Sequence, residues 1–340
     1  MPKRIIFGVV LIGAAIVVAF VLYQSNRKAQ DKYMRPVEKI VLAAYEGDSV
    51  LIPYVAEKQG YFQEQGLEVE FKNFEAGKLA ADALFRGEAD IATASGTVFV
   101  SNSFQYPDLR ILGIIAVANT NGLIARKDRG INRVKDLRGK TIGVTKKSSG
   151  EFTLGELLLF NGIKMQDMEI VDLKPHEIVK SVVSGAIDAG LTWEPNLYET
   201  KRRLGDNAII FKKDITPLMF LLLSKEVWLK KYSFIARRFM NALCNAQSYI
   251  EKNPDEVKKY MKERFGYNQN YVISTWQDHR FVISLPQQLL LKLEDKAKWR
   301  IQNKLTFANK IPNYLDYVYL DALYHVKPES VTIIRQGVIK

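Results

Sequence analysis

Two stretches decide the fold: LFRGEADIA at residues 84–92 and VVSGAIDAG at residues 182–190. Each leaves an apolar-periodic segment, passes a glycine (Gly87 or Gly185) and an aspartate (Asp90 or Asp188), and enters a short apolar run. Glycine suits the left-handed position that stops a helix, and the apolar run beyond reads as a buried strand. The two stretches lie about 98 positions apart, so one supersecondary unit is used twice.

The flanking sequence repeats the same order. Upstream of the first stretch, a strand is expected over 39–44, a helix over 50–58 stopped by Gly60, a strand over 67–71 and a helix near 78–85, followed by the strand 91–94. Around the second, the expected order is strand 141–144, polar loop 146–150, helix 151–160 closed by Gly162, strand 169–173, helix 176–183 and strand 189–192. Such alternation argues for parallel sheets covered by helices. Strands at 110–117 and 122–125, joined by Asn119, Thr120 and Asn121, read as the crossing from one unit to the other. The apolar run PLMFLLL at 217–223 reads as the return, and a helix-rich tail follows from Lys225, with Pro254, Pro286 and Pro312 near helix starts. The expected class is therefore α/β, a two-lobed clamshell with a helical C-terminal region. Its divisions are a short tail 1–4, a membrane segment 5–23, a linker 24–36, lobe I from 37–118 plus 219–340, and lobe II from 119–218.

The membrane segment is read from IIFGVVLIGAAIVVAFVL at residues 5–22, which holds no charge and follows Lys3 and Arg4. As a helix it would be about 27 Å long, against a hydrocarbon core of about 30 Å. It is longer than a cleaved signal's apolar core, and the one passable cleavage site, Val17-Val18-Ala19, lies inside it. A retained anchor is expected. Arg27, Lys28, Lys32, Arg35 and Lys39 crowd its far side, which by local charge would keep the body in the cytoplasm. A large trailing domain crosses regardless of such charges, however.

Residues 1–36 carry +5 of the formal +12, leaving +7 on the remainder. Those basic residues are scattered through helical segments without a reading motif, so nucleic-acid binding is not expected. Hydrophobic content of 47% and charged content of 25% are those of a globular chain. Cys244 is the single cysteine and sits in an apolar-periodic helix, so it is read as a core thiol. His176, His279 and His325 share no ligand spacing. No metal site, cofactor or catalytic residue is expected: nucleophile-elbow, phosphate-loop, zinc-helix and dinucleotide motifs are all missing, and Asp278-His279 is treated as structural.

Ligands of parallel sheets bind where strand C-terminal ends meet helix N-termini. That rule selects Tyr45, Glu46 and Ser49 after the first strand, and Ser95, Gly96 and Thr97 after 91–94. It also selects Lys146, Ser148 and Ser149 before helix 151–160, and Trp193 and Glu194 after 189–192, with Pro195 expected in a first helical turn. Asn121 joins them from the crossing. Hydroxyls and glycines at such ends can present N–H and O–H groups to an anion; each is equally suited to ordinary helix capping. Tyr45 and Trp193 could wall a cleft or simply pack the lobes. Glu46 and Glu194 would suit an N–H group on the ligand, or lie in solvent.

The stretch AEKQGYFQEQGLEVE at 56–70, together with GEADI at 87–91, DLRGKTIGV at 136–144 and GAIDA through Trp193-Glu194-Pro195 at 185–195, resembles the substrate-binding proteins of ABC importers for alkanesulfonates, taurine, nitrate and the thiamine pyrimidine precursor. The resemblance spans roughly residues 37–254. It implies the type II periplasmic-binding-protein fold, capture of a small-molecule solute by lobe closure, and delivery to ABC permease subunits. It also implies that Ser95, Thr97, Ser149, Trp193 and Glu194 border the cleft, and it places the body on the periplasmic or extracellular face; the anchor to the inner membrane is read from residues 5–22 and departs from the family's usual released or lipid-attached form. The ligand expected is a small anionic or zwitterionic organic molecule. Two alternatives stand beside this: a ligand sensor for a signalling partner, and a thiamine-pyrimidine biosynthetic enzyme, which the isolated Cys244 disfavours.

Overall fold

The computed structural model describes residues 37–212 and 216–334. The expected membrane segment at 5–23 and the linker at 24–36 lie outside the described residues. Among the described residues no helix is long and apolar enough to cross a membrane.

Two sheets form. The first contains β1 (Glu38–Tyr45), β2 (Leu67–Phe74), β3 (Ile91–Ser95), β4 (Leu109–Ala118), β10 (Leu218–Lys225) and β11 (His279–Ser284), in the order β11-β4-β10-β3-β1-β2. The second contains β5 (Asn121–Arg126), β6 (Thr141–Val144), β7 (Glu169–Asp172), β8 (Ala189–Trp193) and β9 (Ala208–Phe211), in the order β7-β6-β8-β5-β9. The main helices are α1 (Leu51–Lys58), α2 (Gly77–Phe85), α3 (Gly96–Ser103), α4 (Ser149–Phe160), α5 (Pro175–Ser184), α6 (Asn196–Leu204), α7 (Ser233–Lys252), α8 (Pro254–Phe265) and α9 (Gln288–Gln302).

The repeated stretches do the same work in both sheets. Gly87 and Gly185 adopt φ +77° and +79°, each closing the helix before it. Asp90 Oδ2 then accepts the Val41 N–H at 2.8 Å, and Asp188 Oδ2 accepts the Thr141 N–H at 2.9 Å. The reverse bonds, Asp90 N–H to Val41 O and Asp188 N–H to Thr141 O, are made as well. Each aspartate thus clamps the incoming strand to its parallel neighbour and fixes the register. Replacing Asp90 by Ala leaves the Val41 N–H without its acceptor and is expected to lower unfolding free energy by about 1–3 kcal/mol. Urea unfolding of the variant checks this, and an unchanged midpoint would show that the clamp is dispensable.

The sheets are mixed, which corrects the expectation of parallel ones. β2-β1-β3 and β7-β6-β8 are parallel triplets, but β10 runs antiparallel to β3 and β4, and β5 antiparallel to β8 and β9. The reason lies in the crossings. The chain leaves the first sheet after β4, enters the second as β5, and returns after β9 as β10. The run at 217–223 is therefore a central strand, with Leu221, Leu222 and Leu223 fully buried. Burial of each such side chain contributes on the order of 2 kcal/mol. The tail is less helical than expected, because His279–Ser284 pairs with β4 as an edge strand.

Candidate functional site

The C-terminal ends of β1, β3 and β8 and the start of β5 converge on a small cavity of about 30 Å³ between the sheets. Three helices begin at its wall. α3 is capped by Ser95, whose Oγ accepts the Val98 N–H at 3.4 Å. α4 is capped by Ser148, whose Oγ accepts the Gly150 N–H at 3.0 Å and donates to Thr145 O at 2.6 Å. That helix starts two residues earlier than expected, so Ser149 and Gly150 belong to its first turn and not to a loop. The third, α2, has an extended Ala76 as its N-cap and no side-chain cap. The N–H groups of Gly77 and Lys78 find no acceptor among the described residues. Gly77 is needed there, since a Cβ on it would lie 3.1 Å from Ala94 Cα.

Tyr45 and Trp193 face the same cavity from the ends of β1 and β8. The Tyr45 hydroxyl donates across the cleft to Glu194 O at 3.2 Å, and burial, assisted by Asp48, holds its phenol well above the ordinary range. Asn121, the first residue of β5, donates from Nδ2 to Thr153 Oγ1 at 2.9 Å. Of the twelve residues singled out from the sequence, Tyr45, Ser95, Asn121, Ser148, Ser149 and Trp193 line the cavity.

The other six stand elsewhere. Glu46 turns outward, where its carboxylate accepts Arg264 Nη1 at 2.7 Å. Ser49 is buried and donates to Asp48 Oδ1. Gly96 and Thr97 occupy the first turn of α3 behind the wall, and Thr97 Oγ1 has no hydrogen-bond partner among the described residues. Lys146 borders an adjoining outer groove that shares Ala76 and Lys78 with the cavity. At its mouth His176 Nδ1 meets Glu75 Oε2 at 2.8 Å, joining segments of the two sheets. Glu194 is buried beside the cavity: Oε2 accepts the Tyr198 N–H at 3.0 Å, and Oε1 lies 3.8 Å from Lys212 Nζ. Burial pushes its carboxyl up to about 7, against the pull of Lys212 and that N–H. Pro195 stands one place earlier than expected, as the N-cap of α6 after a cis peptide.

Sequence reasoning missed Ala76, Gly77 and Lys78, because no hydroxyl cap marks the start of α2. The usable signal was positional: Ala76-Gly77 stands shortly after a strand, at the same point in the repeat as Lys174-Pro175 before α5. Taken together, the wall offers helix-start N–H groups, three serine hydroxyls, the Thr93 hydroxyl, an amide, the aromatic rings of Tyr45, Trp193 and Phe220, and Lys78, with no His, Cys, Asp or Glu side chain among the described residues. Among the described residues no group of three or more His, Cys, Asp and Glu could hold a metal ion.

Known proteins share this architecture. The alkanesulfonate-binding protein SsuA from Xanthomonas axonopodis pv. citri, solved bound to MOPS, superposes with a TM-score of 0.72 at 17% identity, covering 84% of this chain and 99% of that one. The chain therefore has the periplasmic-binding-protein fold. A putative binding protein of Brucella abortus is 25% identical over 228 residues, which is 65% of this chain and 69% of that protein. The taurine-binding periplasmic protein of Escherichia coli is 25% identical over 218 residues, 63% of this chain and 68% of that protein. Residues 49–257 match the family described as NMT1/THI5 like, and the chain belongs to that family.

Proposed function

We propose that this protein is the solute-binding component of an ABC-type importer and holds a small organic anion, of sulfonate or zwitterionic type, between its lobes. The observation that carries this reading is the convergence of three helix N-termini, α2, α3 and α4, on one cavity walled by Tyr45 and Trp193. Helix starts concentrate partial positive charge and unpaired N–H donors, which is the chemistry of anion capture. The sulfonate- and taurine-binding relatives support the ligand class.

In this reading 37–118 plus 219–340 form one lobe and 119–218 the other, and they close on the ligand about the two crossings. The apolar segment 5–23 would tether the body to the outer face of the cytoplasmic membrane, within reach of the permease.

The test is a thermal-shift and calorimetric screen of the purified chain against ethanesulfonate, taurine, nitrate, a formylaminopyrimidine and amino acids. A ligand at a hundred times its Kd should add about 2.7 kcal/mol of stability. Trp193→Ala should then weaken binding by about tenfold or more, through loss of a buried aromatic face. Unchanged affinity in both Trp193→Ala and Ser149→Ala would place the site elsewhere.

A further inference from the structure

Helix α9 lies beyond the family match at 49–257, yet it packs behind two of the three helix starts at the cavity. Against α3, a Cβ built on Gly96 would lie 3.5 Å from Leu293 Cδ2 and 3.9 Å from Lys296 Cε. Against α4, Trp299 meets the Phe152 ring edge-on at 5.1 Å, and a Cβ on Gly155 would lie 2.3 Å from Trp299 Cζ2. Arg300 Nη1 reaches Glu151 Oε2 at 3.3 Å, both nearly buried. Amid these contacts Lys296 places Nζ 3.8 Å from the centroid of the Phe152 ring. Lys296 is 6% exposed and has no carboxylate within ion-pair distance among the described residues.

A buried ammonium without a close counter-ion is unfavourable by itself, and doubly so behind helix starts that already carry positive partial charge. An anion on the far side of those first turns would relieve both. We infer that Lys296 is an electrostatic positioning residue of the anion site, a buried cation one residue layer behind the wall that the captured solute offsets. This rests on the anion reading of the cavity.

The groups facing Lys296 are Glu156 from α4, Lys292 and Asp295 from its own helix, and the neighbouring Glu151–Arg300 pair. Glu156 is itself held by the Thr216 hydroxyl at 2.9 Å, with its other oxygen unpartnered among the described residues. Burial pulls Lys296 down to about 8, against the opposing effect of Glu156. A bound anion favours the ammonium form and raises that value. Affinity is then full below about 8 and falls as pH rises towards the value in the complex, and binding in that range takes up protons.

The experiment is calorimetry of the full chain with ethanesulfonate at pH 7 and pH 9, in two buffers of different ionisation heat, for wild type, Lys296→Met and Lys296→Arg. Wild type should bind more weakly at pH 9, with a buffer-dependent heat that reports proton uptake. Lys296→Met should lose about tenfold in affinity at pH 7, the order expected for one charge acting through a polarisable wall, and should keep only the pH dependence that Glu194, raised to about 7 beside the cavity, supplies. Lys296→Arg should keep the affinity at pH 7 and show less proton uptake than wild type, the remainder being that of Glu194. Wild type binding with equal affinity at both pH values and no proton uptake overturns the inference while leaving the anion reading intact, even if Lys296→Met fails to fold. So does a folded Lys296→Met with wild-type affinity and pH dependence. A wild type that binds no ethanesulfonate at either pH removes the anion reading for this ligand, and the inference with it.

Discussion

Ser149→Asp should weaken anion binding by about a hundredfold or more. Ser149 opens α4 at the cavity wall, so its replacement sets a carboxylate among the donors proposed to receive the ligand's charge. Two like charges about 5 Å apart at an effective dielectric constant near 20 repel by about 3 kcal/mol, which is about two orders of magnitude in Kd. The neutral variant Ser149→Asn keeps the size and should lose far less. Calorimetry of the two variants separates charge from shape. Equal affinities in both would mean that the ligand is not an anion.

The largest effect on stability should come from His279→Leu, which strands Asp48 in the core. Both side chains are wholly buried, with His279 Nε2 3.4 Å from Asp48 Oδ1 and Nδ1 2.9 Å from Thr275 O. Asp48 also accepts the hydroxyls of Tyr271 and Ser49. Breaking a buried pair on one side costs about 3–5 kcal/mol. The cost should depend on pH. Burial would raise Asp48, but His279, Tyr271 and the Ser49 N–H outweigh it and hold the carboxyl below its ordinary 3.8. Burial would lower His279, but Asp48 and the Thr275 carbonyl outweigh it and hold the imidazole above its ordinary 6.5.

A raised histidine stabilises fully below its unfolded value and stops doing so as pH rises through its native one. A depressed aspartate stabilises above its unfolded value and stops as pH falls through its native one. The pair is thus at full strength between roughly pH 4 and 6.5. Urea unfolding at pH 5.5 and pH 9 should show the larger gap between wild type and His279→Leu at pH 5.5. Equal gaps would show a neutral His279 in the native protein.

Much of the first half of the chain was legible because local rules and tertiary structure agree there. Gly87 and Gly185 stop helices, and Asp90 and Asp188 start strands, for reasons contained within a few residues. Ser95 and Ser148 announce their helices by the same chemistry that caps them. What escaped depends on distant partners. Glu46 looked like a cleft carboxylate, but Arg264, 218 positions away, turns it outward. Glu194 looked free, but the first turn of α6 and Lys212 enclose it. β11 alternates buried and partly exposed residues over only six positions, too short to stand out in a helical tail. The role of Gly77 was invisible because it is defined by what its missing side chain would strike.

The Glu151–Arg300 contact bears on the order in which the molecule can be completed. The carboxylate belongs to the second sheet's first helix, and its guanidinium is encoded 149 positions later. A chain emerging from the ribosome presents the whole second sheet before Arg300 exists. Until then Glu151 must stay hydrated, and the face of α4 at Phe152 and Gly155 must stay uncovered by Trp299. No fragment ending at the family's boundary near residue 257 can close that face. The tail thus arrives late and seals a layer made long before it.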